Sequence, residues 1–220
     1  MIGEPVPESW AAEGAAMRRA LAAEFAAGRP SPRAVVALDP GLSDDPGPWE
    51  TVRVDSIERL EGLAGKVDCT LLIAPETNGV LEGLVRRLGR ASPRLLNASA
   101  DAVALAGDKA RLGDRLRERG LPTPRSMVLE PGEAPPSDWA PPFAIKPVDG
   151  AGSIETFFVR GPKSPLPTAG RHRRRLLQDW IAGSPMSATF LVRPGLPPLP
   201  LAVGEQRMIL GKTVTARRGR

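Results

Sequence analysis

The sequence predicts an α/β fold that opens with a small doubly wound parallel sheet and continues into a region of strands joined by a glycine-rich loop. Two observations carry this. Apolar runs alternate with helical periodicities through the first 98 residues, as expected for a parallel sheet with helices on its faces. Further on, Phe143-Ala-Ile-Lys-Pro-Val-Asp-Gly-Ala-Gly-Ser153 places a lysine on an apolar strand just before two glycines, and Thr156-Phe-Phe-Val159 is strand-like again.

In chain order, residues 9–27 have helical composition, with Trp10, Met17, Leu21 and Phe25 spaced for one buried face. Strands are expected at 34–38 and 52–54, then a helix at 56–63. Residues 69–74 are the most apolar strand of this part, a helix is expected at 80–88, and 94–96 form another strand. Ala74-Pro-Glu-Thr-Asn-Gly79 falls where a parallel strand ends and a helix begins, the usual ligand edge of such sheets, so Glu76 is a candidate to face a cleft. Its other reading is a helix N-terminal charge favoured by the macrodipole. A long helix is expected at 99–119 and contains Gly107-Asp-Lys109. Strands follow at 126–129, 143–145, 156–159 and 187–192, with a short strand ending in a turn within 176–183. Proline-rich residues 130–142 connect two of these, with Trp139 as a loop anchor.

The chain has 220 residues, enough for one or two cores, and a formal net charge of +5. Cys69 is the only cysteine, so no intramolecular disulfide forms, which fits a reducing cytosol; its apolar setting predicts a packed, inert thiol. No apolar stretch is long enough to span a bilayer, and no charged start precedes an apolar signal-like segment. A soluble cytoplasmic protein is the expectation. Basic residues cluster in Arg171-His-Arg-Arg-Arg175 and Arg217-Arg-Gly-Arg220, without the aromatic interleaving that nucleic-acid binding favours, and the first run reads as a solvated loop. His172, the only histidine, gives little support to a catalytic triad or a histidine metal site.

The chemistry-bearing segment is the lysine and its loop. A glycine loop without Cβ atoms lets backbone N–H groups approach polyphosphate oxygens, and Lys146 adds a cation. Because the loop joins two strands, it is not the dinucleotide or P-loop arrangement, in which the loop feeds a helix. Those motifs also fail by spacing. Glu155 stands at the third glycine position after Gly150 and Gly152, and Gln206 stands where a P-loop ending in Gly211-Lys-Thr213 needs glycine.

The order is Asp-Lys helix, Leu121-Pro-Thr-Pro124, strand, Ile145-Lys-Pro147, Asp149-Gly-Ala-Gly-Ser153, strand, Leu177-Gln-Asp-Trp-Ile-Ala-Gly183 and a further strand. From about residue 68 to 207 this order resembles the ATP-grasp superfamily of ATP-dependent carboxylate ligases. Within it, the likeness is to the branch containing tyramine–glutamate ligase of methanofuran biosynthesis and proteins found with tetrahydromethanopterin pathways. The resemblance implies a pre-ATP-grasp α/β domain at 1–98, a first α+β ATP-grasp lobe with the Gly-rich loop at 99–175, and a partial second lobe at 176–220.

It also implies roles. Lys109 lies near the phosphates, Lys146 at the α-phosphate and adenine N7, and the loop around Gly150, Gly152 and Ser153 over the β- and γ-phosphates. Gln178 and Asp179 are hinge polar groups, with the backbone of Trp180 and Ile181 at the adenine edge. The implied reaction activates a carboxylate with ATP to an acyl phosphate, which an amine then attacks, so the implied partners are small carboxylates and amines. A homo-oligomer stays open; membrane and nucleic acid are not expected partners. Mg2+ is expected from the family, but its late acid ligands have no counterpart after Glu205, and no acid for the ribose stands in Gly183-Ser-Pro-Met-Ser187. The resemblance therefore implies a chain shortened at both ends. A non-catalytic ATP-binding or interaction protein is the alternative.

Overall fold

The computed structural model describes residues 8–30, 32–44, 46–150, 155–168, 172–210 and 214–217. It divides into two compact units, one of residues 1–74 and 80–100 and one of 75–79 and 101–220.

In the first unit, helix α1 (Glu8–Ala27) precedes strand β1 (Val35–Leu38), which pairs in parallel with β2 (Glu50–Arg53). Helix α2 (Ile57–Ala64) starts at Ser56, whose hydroxyl accepts the Arg59 N–H at 3.3 Å and satisfies one donor of the first turn. Helix α3 (Val80–Ala91) buries Val85 and Leu88. Arg87 reaches from it to Glu58 and Glu61. This part is the parallel α/β arrangement expected.

Three expectations here are corrected. Residues 69–74 and 94–96 do not form extended strands; they meet at a single parallel bridge, Thr70 to Leu95. The reason lies in Asn97, whose side-chain amide accepts from the Leu72 N–H at 2.9 Å and donates to the Leu72 carbonyl at 2.8 Å, replacing the next rung of a ladder. Cys69 is exposed rather than packed, and Leu71 and Ile73 are exposed beside it. In α1 the face of Leu21 and Phe25 is open rather than buried, and among the described side chains of this helix Ala22 alone is buried. A small alanine allows close packing, which leaves the larger neighbours at the margin. The side chain of Trp10 lies outside the described residues.

The second unit corrects the long helix. Helix α4 (Ala100–Gly107) stops and α5 (Lys109–Glu118) starts afresh, because Asp108 takes an extended backbone (φ −100°, ψ 103°) and its carboxylate accepts the Ala110 and Arg111 N–H groups, each at 3.0 Å. Glycine followed by aspartate is a helix stop and a new N-cap, a signal that the alanine-rich periodicity hid.

Strands β3 (Ser126–Leu129), β4 (Phe143–Pro147), β5 (Phe157–Val159) and β6 (Arg175–Asp179) form one sheet in the order β3-β6-β4-β5, with every neighbouring pair antiparallel. Leu129, Phe143, Ile145, Val159 and Leu177 make its core, with Met127 and Trp139 packed against them. Trp139 is the expected loop anchor, and the Arg125 guanidinium sits 3.7 Å from its ring centre. Strand β6 pairs with β3 and β4 and not with the strand that follows it. Strand β7 (Met186–Leu191) instead pairs with β8 (Leu199–Glu205), and β9 (Arg207–Leu210) with β10 (Val214–Arg217), as separate antiparallel pairs.

Candidate functional site: a lysine pair at the glycine loop

Strand alternation sorts β4 and β6 into two faces. Ile145 lies opposite Leu177 on the core face, while Lys146 lies opposite Leu176, and Ala144 opposite Gln178, on the other. Lys146 and Gln178 are therefore diagonal neighbours, and the Lys146 Nζ donates to Gln178 Oε1 at 2.8 Å. Phe158, opposite Ala144 on β5, shares this face. Its ring centre lies 4.5 Å from that of Trp180. The face thus offers a cation, an amide and two aromatic rings.

The second lysine arrives from α5. The Lys109 backbone N–H donates to the Val148 carbonyl at 2.9 Å, and its Nζ donates to the Gly150 carbonyl at 2.6 Å. A residue in the first turn of a helix is thereby fastened to the start of the loop. Burial lowers the Lys109 pKa, against the opposing pull of Asp149, Asp108 and Glu76. Burial also lowers that of Lys146, and the positive charge of Lys109 lowers it further. Among the described residues neither ammonium has a carboxylate partner within 4 Å. Two partly buried cations that repel each other are a setting that an anion would relieve.

The segment Pro75 to Gly79, a single turn at Thr77–Gly79, belongs to this unit. Asn78, at φ 55°, donates its backbone N–H to Asp149 Oδ2 at 3.0 Å. Glu76 is exposed, and its charge acts on Lys109. Gly150 has φ +85°, and a Cβ there would stand 3.3 Å from Thr77 Oγ1. Gly150→Ala would force an L side chain into the left-handed region, at about 1 to 2 kcal/mol, and press on Thr77. ATP affinity should fall more than thermal stability, whereas Gly161→Ala, in open space, should change neither. Unchanged ATP affinity in a folded Gly150→Ala protein would show that the loop backbone plays no part in binding.

The structure brings together Lys109, Lys146, Gly150 and Gln178. It does not bring in the Asp179 carboxylate, which lies on the core-side face beyond Phe143 and pairs with Arg125 at 3.5 Å. The Trp180 N–H is already bonded to the Pro142 carbonyl at 3.1 Å, and Ile181 is exposed. Gly152 and Ser153 lie outside the described residues, as do Gly211, Lys212 and Thr213. Sequence reasoning did not single out Phe158, Asn78 or Arg173, because the first is placed by the β4–β5 register and the others by partners elsewhere in the chain.

The arginine run needs correction as well. Of its members, His172 is exposed, but Arg175 is buried in β6 and donates to the Glu133 carbonyl at 2.6 Å, and Arg174 bonds Glu130 at 3.2 Å. Arg173 lies between Asp149 and Glu155. The solvated-loop expectation holds for the exposed His172 and Arg174 and fails at Arg175, which opens β6; Arg171 lies outside the described residues.

The described residues thus form an antiparallel α+β lobe that carries Lys146 on one strand and receives a second lysine, Lys109, from the preceding helix. The pre ATP-grasp 3 domain matches residues 32–103 and the ATP-grasp domain residues 106–220. The second match takes in more than half of the chain, which belongs to the ATP-grasp family.

Among solved structures, N5-carboxyaminoimidazole synthetase from Staphylococcus aureus, in complex with ADP, is similar with a TM-score of 0.64 and 14% identity, covering 85% of this chain and 51% of that one. D-Alanine–D-alanine ligase from Bacillus anthracis gives 0.55 and 18%, covering 73% and 54%. An ATP-grasp superfamily protein from Archaeoglobus fulgidus gives 0.50 and 23%, covering 76% and 48%. These likenesses are of fold, and the chain spans about half the length of the proteins it resembles. The comparison with curated proteins gave no match. No helix among the described residues is long and apolar enough to cross a membrane.

Proposed function

We propose that this chain binds ATP with its polyphosphate at Lys109, Lys146 and the loop beginning at Gly150, and serves ATP-dependent ligation of a carboxylate to an amine. The observation that carries the reading is the pair of partly buried, mutually repelling lysines at the start of a glycine loop that joins two strands. A polyanion would end that repulsion, and the loop backbone would add N–H donors. Lys146 would meet the phosphate nearest the base, because the Phe158 and Trp180 rings on the same face suit a nucleobase. Gln178 orients Lys146. With the Trp180 N–H occupied, the Ile181 backbone remains for the adenine edge.

In the reaction, the carboxylate oxygen attacks the γ-phosphorus and ADP leaves, giving an acyl phosphate. The amine nitrogen then attacks the acyl carbon, phosphate departs, and an amide remains. The contribution of these residues is positioning and charge neutralisation, which needs no nucleophilic side chain. The motif order resembles that of the branch containing tyramine–glutamate ligase, so a glutamate-like acid and a primary amine are the first substrates to try.

Family chemistry would add magnesium, but the described residues do not suit it. Asp149 and Glu155 face Arg173, Asp179 faces Arg125, and among the described residues no group of three or more acid, histidine or cysteine side chains converges. That same feature supports a second reading, an ATP-binding protein without ligase activity. Titration calorimetry with ATP, followed by ADP release in the presence of pooled carboxylates and amines, separates the two. Binding with amine-dependent turnover supports the ligase; binding alone supports the second reading; no binding overturns both.

A pH dependence follows from the lysines. Their pKa values in the fold lie below the usual 10.5, so ATP should raise them and take up protons on binding. Affinity should fall with rising pH, beginning below 10.5. The ligand-free fold has the opposite trend: between the lowered values and 10.5 the unfolded chain holds more protons, so these lysines favour folding increasingly as pH rises. Calorimetry in buffers of different ionisation enthalpy measures the uptake, and pH-independent affinity through the alkaline range would remove the lysines from the site.

A further inference from the structure

Arg173 stands just ahead of β6 between two carboxylates. Its Nη1 is 3.8 Å from Asp149 Oδ1, and its Nε is 3.4 Å from Glu155 Oε2. These acids bracket residues 151–154, so one guanidinium spans both shoulders of the loop. All three side chains are only about one-third exposed, which lessens the screening that makes surface pairs weak. The shoulders carry further signs of constraint. Asp149 also accepts the Asn78 N–H. Glu155 is held at φ 49°, a left-handed backbone that a non-glycine residue keeps only where its surroundings enforce it.

The charges matter as much as the geometry. Asp149 places a negative charge near Lys109, and Glu155 places another at the far shoulder of the loop; an incoming polyphosphate would be repelled by both. A single cation set between them both cancels part of that field and keeps the carboxylates turned toward β6.

We propose that Arg173 is a positioning residue that ties both shoulders of the glycine loop to the start of β6 and neutralises their carboxylates, so that the loop accepts the polyphosphate of a nucleotide. This rests on the ATP-binding reading for its ligand, while the tie itself is measurable without one. Arg173 acts through Asp149 and Glu155, and not by touching phosphate.

The test combines amide hydrogen exchange and ATP calorimetry on wild type, Arg173→Ala, Arg173→Lys and Arg173→Ala with Glu155→Gln. Arg173→Ala should accelerate exchange at residues 148–150 and 155–156 and weaken ATP binding about three- to tenfold, with a nearly unchanged melting temperature. Arg173→Lys should restore part of the affinity. Removing the Glu155 charge in the alanine background should also recover part of it, because the uncovered carboxylate is then gone. Unaltered exchange overturns the tie. Weakened ATP binding that Glu155→Gln does not improve overturns the indirect role, because it indicates a direct phosphate contact. If wild type binds no ATP, the nucleotide reading fails, and exchange in Arg173→Ala still decides whether the shoulders are tied.

Discussion

Replacing Lys146 with methionine should weaken ATP binding about tenfold to a hundredfold, the loss of one charge-assisted hydrogen bond of about 1.5 to 3 kcal/mol. Methionine keeps most of the aliphatic stem against Leu176 and Ala144 and removes the ammonium. The fold should tolerate the change, because burial and the neighbouring Lys109 already disfavour the charged form of Lys146. Gln178 loses its donor, but its carboxamide is only partly buried and water can replace the bond. The expected result is therefore an unusual pairing of reduced affinity with a melting temperature equal to or above that of wild type. Calorimetry and thermal denaturation measure the two quantities, and undiminished ATP affinity in the folded variant would place the phosphates elsewhere.

The largest stability effect should come from Leu177→Ala. Leu177 is fully buried, at 0% exposure, and lies on β6, which is hydrogen-bonded on both sides, to β3 and β4. Truncation removes the leucine's contacts with the Leu129, Phe143, Ile145 and Val159 cluster and leaves a cavity, at about 2 to 5 kcal/mol. Hydrogen exchange of the β4 and β6 amides should report the loss locally. ATP binding should weaken with it, since β6 also carries Gln178 and leads to Trp180. Leu201→Ala, on exposed β8, should stay within about 0.5 kcal/mol of wild type. A loss below about 1 kcal/mol at Leu177 would mean that the sheet collapses around the missing methyls, with a core less tightly packed than its burial indicates.

The sequence alone determined much of the second unit. Phe143, Ala144 and Ile145 could only be a buried strand, and Phe157 to Val159 reads as another, so the glycine loop between them had to join strands rather than open a helix. That local reading is what separates the site from P-loop and dinucleotide folds. The parallel character of the first sheet, a helix beginning near Ser56 and the anchoring of Trp139 were likewise legible, because each depends on residues close in sequence.

What the tertiary structure decided depends on partners far apart in the chain. The order β3-β6-β4-β5 brings Lys146 and Gln178, 32 residues apart, onto one face, and the same pleat sends Asp179 to the other. Asp108 divides one helical periodicity into two helices and so points Lys109 at the loop. Asn97, 25 residues from Leu72, ends a strand that its apolar residues predicted. In composition, Arg171 to Arg175 is a hydrophilic run. Once β6 lies between β3 and β4, Arg175 is drawn into the sheet, and Arg173 comes to rest between two carboxylates. Periodicity reports which face of an element is apolar, whereas the partner of a charge is set by strand order and register, which depend on contacts that no local window of sequence contains.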